Sequence, residues 1–188
     1  MNFYFPYFGP LIAKTSLTEQ QIKNIKKLCN KKVNHRKQLA GHIKDEYLMD
    51  YETYDTIIQP QLETFKNAYK MFYNKELQSI KTISAWVNYM KPGDFNPPHI
   101  HFECRFSSVL FLQVPEAIKK ECDKFQGTSR GPGSLEFSYG QPSKDFIDVF
   151  SVFPKVGDMY IFPSTTLHSV YPFKSKNVTR ISVAANYN

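Results

Sequence analysis

The spacing of hydrophobic positions changes partway along the chain. Ile22, Ile25, Leu28 and Cys29 recur at steps of three and four, which marks one face of a helix. Ser16-Leu17-Thr18-Glu19 and Thr18-Glu19-Gln20-Gln21 form overlapping capping boxes ahead of that run, so the helix is expected to start there and to end within residues 30–34. A second helical run passes through Tyr54, Ile57, Ile58, Leu62, Phe65, Tyr69 and Phe72. Pro60 lies inside it and predicts either a kink or a helix that begins at Pro60. Residues 41–49 lack a period and read as a loop. Residues 3–14, broken by Pro6 and Pro10, read as an irregular or edge strand.

Beyond residue 80 the period becomes that of extended chain. Residues 83–90, 107–114, 134–139, 149–153, 158–162, 167–171 and 178–186 are short β-branched and aromatic runs, separated by Pro, Gly, Asn and Lys. Residues 116–133 are charged and then Gly/Ser-rich, which suits a short helical turn and a loop. Strands at this spacing predict a mainly β fold, a sandwich, barrel or jelly roll, with the N-terminal helices packed on one sheet. The expected organisation is one domain over 1–188, with a strand and helical support in 1–80 and the β core in 81–188.

With 41% apolar and 15% aromatic residues the chain can build a core, so disorder is excluded as its main state. The N-terminus lacks a basic segment followed by an apolar run, and no stretch approaches the roughly 18 apolar residues of a membrane span. A soluble, cytoplasmic protein without a membrane partner is expected. Cys29, Cys104 and Cys122 are odd in number and widely spaced, as reduced thiols would be. The net charge of +7 is uneven: residues 1–44 carry nine Lys or Arg against Glu19 alone, and the remainder is close to neutral. A solvated helix face accounts for this most simply. An acidic protein fits it as a partner too, and a nucleic acid is the less favoured one, because no aromatic platform is interleaved with the lysines.

Of the five histidines, three stand in unusual contexts. His99 and His101 are separated by one residue in Asn96-Pro97-Pro98-His99-Ile100-His101, where extended chain would project both rings from one face. His168 follows the turn Pro163-Ser164-Thr165-Thr166. Three imidazoles suit Fe(II), Zn(II), Cu or Ni better than Mg or Ca. His35 and His42 have no such context. Arg180 and Ser182 share one face of the last strand, and a cation inside the apolar run Val178, Ile181, Val183, Ala184, Ala185 needs an anionic partner. That partner is either a protein carboxylate or a ligand.

The residues from Trp86 through Asn88, Tyr89, Pro92, Gly93 and Asp94 to His99-Ile100-His101, the strand Ser107 to Leu112, Phe162 to His168, and Arg180-Ile181-Ser182 together resemble the 2-oxoglutarate/Fe(II)-dependent oxygenases. The likeness is closest to a small prolyl-hydroxylase-like subgroup often encoded by phages, and it covers residues 83–188. It implies a double-stranded β-helix holding one Fe(II) at its open end, with His99 and His168 as ligands and 2-oxoglutarate and O₂ as cosubstrates. Arg180 and Ser182 would grip the distal carboxylate of 2-oxoglutarate, and Tyr89 would touch the cosubstrate as in related prolyl hydroxylases. Phe111 stands where relatives often carry a tyrosine that helps in this.

The usual carboxylate two residues after the first histidine is replaced by His101. The favoured ligand set is His99, His101 and His168, and the alternative register His101-Phe102-Glu103 would make Glu103 a ligand. The implied reaction is hydroxylation of a C–H bond, with 2-oxoglutarate converted to succinate. A peptide or protein side chain such as proline is the first expectation for the substrate, with a small molecule as the other. Two other readings stay open on the residues alone: a zinc hydrolase or hydratase using three histidines, and a non-catalytic jelly-roll binding protein.

Overall fold

The computed structural model describes residues 8–142, 144–145 and 147–188. Two antiparallel sheets form the body of the fold. The larger has the order β1 (Ala13–Ser16), β8 (Asp158–Pro163), β5 (Phe106–Gln113), β10 (Arg180–Tyr187), β3 (Thr82–Met90) and β2 (Asp45–Leu48). The smaller has the order β4 (Asn96–His99), β9 (Leu167–Val170), β6 (Leu135–Ser138) and β7 (Val149–Val152). This is a jelly roll with helices on one sheet, as the pattern of short runs predicts.

Strand alternation divides the larger sheet into two faces. Ala85, Val87, Leu110, Leu112, Met159, Ile161, Val183 and Ala185 point outward and pack with Ile25, Ile58, Leu62 and Phe65 of the helices α1 (Glu19–Leu28) and α2 (Tyr51–Tyr73). Met90, Phe111, Tyr160 and Phe162 point inward and meet Leu135, Phe137 and Val170 of the smaller sheet. The strands of the larger sheet therefore bury both faces, which is why their sequences read as near-continuous apolar runs.

Thr18 caps α1 in a full capping box: its hydroxyl accepts from the Gln21 N–H, and the Gln21 side chain accepts from the Thr18 N–H. The helix closes at Leu28, earlier than expected, where the Cys29 N–H turns back to the Lys26 carbonyl. α2 starts at the Asp50 cap and runs through Pro60, which neither breaks nor begins it. Pro60 lies on the exposed face, where water can satisfy the carbonyl of Thr56 that a proline cannot.

Residues 45–48 correct the expectation of a loop. They form β2, an edge strand paired with β3 so that Glu46 faces Asn88 and Leu48 faces Trp86. Four residues beginning Asp-Glu carry almost no strand signal of their own, and the pairing comes from β3. The expected N-terminal strand is shifted to Ala13–Ser16, and residues 1–7 lie outside the described residues. α3 (Glu116–Asp123) occupies the start of the segment expected as a helical turn. Cys29, Cys104 and Cys122 are free thiols. No helix among the described residues is long and apolar enough to cross a membrane.

Candidate metal and cosubstrate site

Strand pairing brings two of the histidines together. β4 and β9 are antiparallel with His99 directly opposite His168, and their ring centroids lie 4.2 Å apart. His101 arrives by a different route from the one its spacing suggests. The chain leaves β4 after His99, so the two rings do not share a strand face. Instead the His101 N–H donates to the Ser164 carbonyl at 2.9 Å, and its ring Nδ1 lies 2.9 Å from Asn186 Oδ1 on β10. Its centroid ends 5.3 Å from that of His99 and 5.1 Å from that of His168.

Each ring has its Nδ1 committed to an oxygen: His99 to Pro97 O at 2.8 Å, His101 to Asn186 Oδ1, and His168 to Thr166 O at 2.9 Å. A carbonyl oxygen only accepts, so these contacts place the proton on Nδ1 and leave the Nε2 lone pairs free. The available ligand atoms of the three residues lie within 4.8 Å of one another. Three rings so disposed, each oriented by a second hydrogen bond, could together hold a transition metal. Asn186 is the orienting residue that the sequence reading missed. Its signal was present, since Arg180, Ser182, Ala184 and Asn186 follow the same two-residue period.

The rings are enclosed by apolar groups: Trp86 stacks on His101 at 5.8 Å and Phe162 meets His168 edge-on at 4.8 Å. Burial, reinforced by mutual repulsion, pushes His101 down to about 4 and His168 to about 3, and it lowers His99 as well. All three are neutral at pH 7, as metal binding requires. In the metal-free protein, the unfolded chain takes up protons at these histidines below its ordinary value near 6.5 while the fold refuses them. Their contribution to stability is complete above pH 6.5 and is lost as the pH falls from there toward 3–4. Glu46, which burial pushes up to about 7, works in the opposite direction between its ordinary value and 7. Comparing the wild type with His168→Gln isolates the histidine term: thermal melting from pH 7 to 4.5 is expected to fall less steeply in the variant. Parallel curves would show that His168 is not held neutral by the fold.

Arg180, Ser182 and the three histidines line one cavity of about 570 Å³ between the sheets. Arg180 is 2% exposed, and its Nη1 donates to the Gly133 carbonyl at 2.9 Å. Its guanidinium carbon lies 5.4 Å from the centre of the Phe111 ring, and its Nε has no partner. Among the described residues it forms no ion pair, so the carboxylate that its burial calls for is not supplied by the protein. Gly133, which receives it, has φ +74°, and a Cβ there would lie 2.6 Å from Ile118 Cγ2. A side chain at this position is therefore excluded twice.

Two of the anticipated site residues stand apart from the histidine cluster. On β3 the even positions Ser84, Trp86 and Asn88 line the cavity, whereas Tyr89 faces out and packs with Tyr47 and Lys31 on the helix side. The cosubstrate contact implied for Tyr89 is thus corrected by strand alternation, and Asn88 is the cavity residue. Glu103 is exposed, with φ +60°, and it lines the cavity but stands outside the converging cluster. His42 stacks on Phe95 at 4.5 Å. His35 lies on the cavity wall beside Trp86.

Comparison with known proteins agrees with this geometry. The profile of a family described as "Putative 2OG-Fe(II) oxygenase" matches residues 84–186, more than half of the chain. No curated protein matches. A prolyl-4-hydroxylase from Pseudomonas putida aligns over 94% of this chain and 91% of its own, at 15% identity and a TM-score of 0.57. The viral collagen prolyl hydroxylase of Paramecium Bursaria Chlorella virus-1, solved with 2-oxoglutarate, aligns over 94% of both chains, at 14% identity and a TM-score of 0.57. The α-ketoglutarate-dependent carbocyclase SnoK of nogalamycin biosynthesis aligns over 94% of this chain and 79% of its own, at 11% identity and a TM-score of 0.59. The chain belongs to the 2-oxoglutarate- and Fe(II)-dependent oxygenases. It is a dioxygenase that uses Fe(II) and 2-oxoglutarate, and the histidine cluster fits iron.

Proposed function

We propose that this chain is a hydroxylase in which His99, His101 and His168 hold the metal and Arg180, with Ser182 beside it, takes the distal carboxylate of 2-oxoglutarate. The observation that carries this reading is a buried guanidinium without a protein anion, in the same cavity as three convergent, neutral imidazoles. Iron with 2-oxoglutarate and O₂ supplies the oxidant for a C–H bond, the cosubstrate leaving as succinate and CO₂. The protein's own part is positional. Arg180 orients the cosubstrate by charge-assisted hydrogen bonds, and Asn186 holds the His101 ring. Trp86, Leu135, Phe162 and Val170 line the same space with apolar surface that limits water.

The prolyl-hydroxylase neighbours make a peptide or protein side chain the first substrate class to try, and the reduced cysteines fit a cytoplasmic setting. The carbocyclase neighbour shows that this fold carries other outcomes. A zinc hydrolase would use the same rings but gives no role to Arg180. Anaerobic addition of 2-oxoglutarate to the Fe(II)-loaded protein is expected to produce a weak visible charge-transfer band, with one iron per chain. Tightly held zinc and no band would overturn the reading.

A further inference from the structure

The cavity has a second polar wall, which meets the cosubstrate residues only at Ser182. Glu46 on β2 pairs with Asn88 on β3, which in turn pairs with Ser182 on β10, so the three side chains form a row across the floor of the cavity. Asn96, at the start of β4, lines the same cavity, with its Oδ1 beside Gly41 as Glu46 Oε1 is. Glu46 Oε2, Asn88 Oδ1 and Asn96 Oδ1 are all buried without a hydrogen-bond partner. Together with the Arg180 Nε they make up four of the five such atoms among the described residues. A buried acceptor left unmade costs about 1–3 kcal/mol, and three on one wall of one cavity form an arrangement that awaits donors.

The loop 39–41 shapes this corner. A Cβ at Gly41 would lie 1.8 Å from Asn96 Oδ1, so Asn96 reaches into the space that a glycine leaves open, and Glu46 Oε1 would stand at ordinary contact distance, 3.5 Å. Two carboxyls, Glu46 and Asp94, stand in this corner. Glu46 is 1% exposed, and Asp94, also buried, adds a like charge close enough to raise its carboxyl further. Among the described residues the cation paired with it is Arg36, whose Nε stays 3.8 Å from Glu46 Oε2, beyond hydrogen-bond reach. Arg36 gives its Nη1 to the Leu39 carbonyl, and its side chain is 35% exposed. His35 on the same wall is held toward its neutral form by burial. Arg180 stands two strands across and two residues along from Glu46, roughly 12 Å away at ordinary strand spacing. The cavity therefore carries a cation toward one side and, toward the other, a carboxyl and two amides whose Oε2 and Oδ1 atoms have no donor from the protein.

We propose that Glu46, Asn88 and Asn96 form the subsite for a protonated nitrogen of the primary substrate, an ammonium or guanidinium group that brings several N–H donors. This rests on the oxygenase reading, because it places the substrate in the metal-bearing cavity. It names the substrate class as basic: an amine or a lysine- or arginine-type side chain, in place of proline. One carboxylate oxygen and two amide oxygens that lack partners suit such a group and disfavour its uncharged isostere, since the isostere leaves them unpaired.

The test uses the Fe(II)- and 2-oxoglutarate-loaded protein under anaerobic conditions, with Nα-acetyl-lysine amide, Nα-acetyl-arginine amide and Nα-acetyl-norleucine amide as probes in calorimetric titration. One or both cationic probes are expected to bind and the norleucine probe to bind at least 10-fold more weakly. The two cationic arms decide between ammonium and guanidinium. Glu46→Gln is expected to weaken the cationic probe by about 10- to 100-fold while keeping the charge-transfer band. Should that variant fail to fold, Asn96→Asp, which adds a negative charge to the wall, is expected to tighten the cationic probe. Equal binding of lysine and norleucine probes, or no binding of either cationic probe while the band forms, overturns the subsite and leaves the oxygenase reading intact. Absence of the band with cation-selective binding preserved would overturn the cosubstrate reading instead.

Discussion

Arg180→Met is expected to raise the melting temperature of the ligand-free protein and to abolish 2-oxoglutarate binding. The first effect follows from the cost of the charge. The guanidinium is fully buried, makes one hydrogen bond to the Gly133 carbonyl and leaves its Nε unpaired. Burial pulls its pKa only to about 10, so it stays charged at neutral pH. Replacing a poorly paired buried charge by an apolar chain of similar length is often stabilising by about 1–4 kcal/mol, which corresponds to several degrees in a chain of this size. The second effect follows from the clamp role proposed for Arg180. Removing one partner of a buried, hydrogen-bonded ion pair costs about 3–5 kcal/mol, or roughly 100-fold or more in affinity. The two proteins should therefore cross over. Without cosubstrate the variant melts higher, and with saturating 2-oxoglutarate only the wild type gains stability. Thermal melting of both, with and without 2-oxoglutarate, checks this. A wild type that is the more stable without ligand, with the same ligand-induced shift in both, would remove the clamp role.

His168→Ala should reduce Fe(II) affinity by more than about 100-fold, since loss of an outer-shell partner alone costs 10- to 100-fold. His99→Ala and His101→Ala should behave alike. Glu103→Ala should leave affinity unchanged, because Glu103 stands outside the cluster whose ligand atoms lie within 4.8 Å of each other. Anaerobic titration with Fe(II), repeated with Co(II), measures this directly. A large loss in Glu103→Ala would mean that the acidic register is used after all. The set of ligands has a second consequence. Three neutral imidazoles would leave the two charges of a bound metal uncompensated, and the cosubstrate dianion would supply the missing negative charge. Iron should bind more tightly with 2-oxoglutarate present, by the same factor that iron improves 2-oxoglutarate binding.

Much of this was legible in the residues. The β-rich C-terminal half announces itself by period, and Arg180 and Ser182 announce a shared strand face. His99, His101 and His168 stand out because Pro97, Pro98 and Pro163 surround them with turn and extended chain. The failures have physical causes. β2 reads as a loop because Asp45 and Glu46 have little strand preference, and the pairing with Asn88 and Tyr89 is a tertiary fact. The same failure hid Glu46, a buried carboxylate that no local pattern marks. Tyr89 was assigned by likeness, whereas the alternation of Trp86, Val87, Asn88 and Tyr89 along β3 already places it on the opposite face from Trp86. His101 was expected on a strand. Its position depends on Asn186, which is 85 residues away in the chain and beyond the reach of any window.

The chain contains a single tryptophan, and it is Trp86, stacked on His101 inside the cavity. Its indole emission is thus an optical signal that originates at the site alone, with no second emitter of its kind to dilute it. Occupancy of the imidazole cluster can be followed in the native protein by fluorescence, without a label and before any substrate has been found.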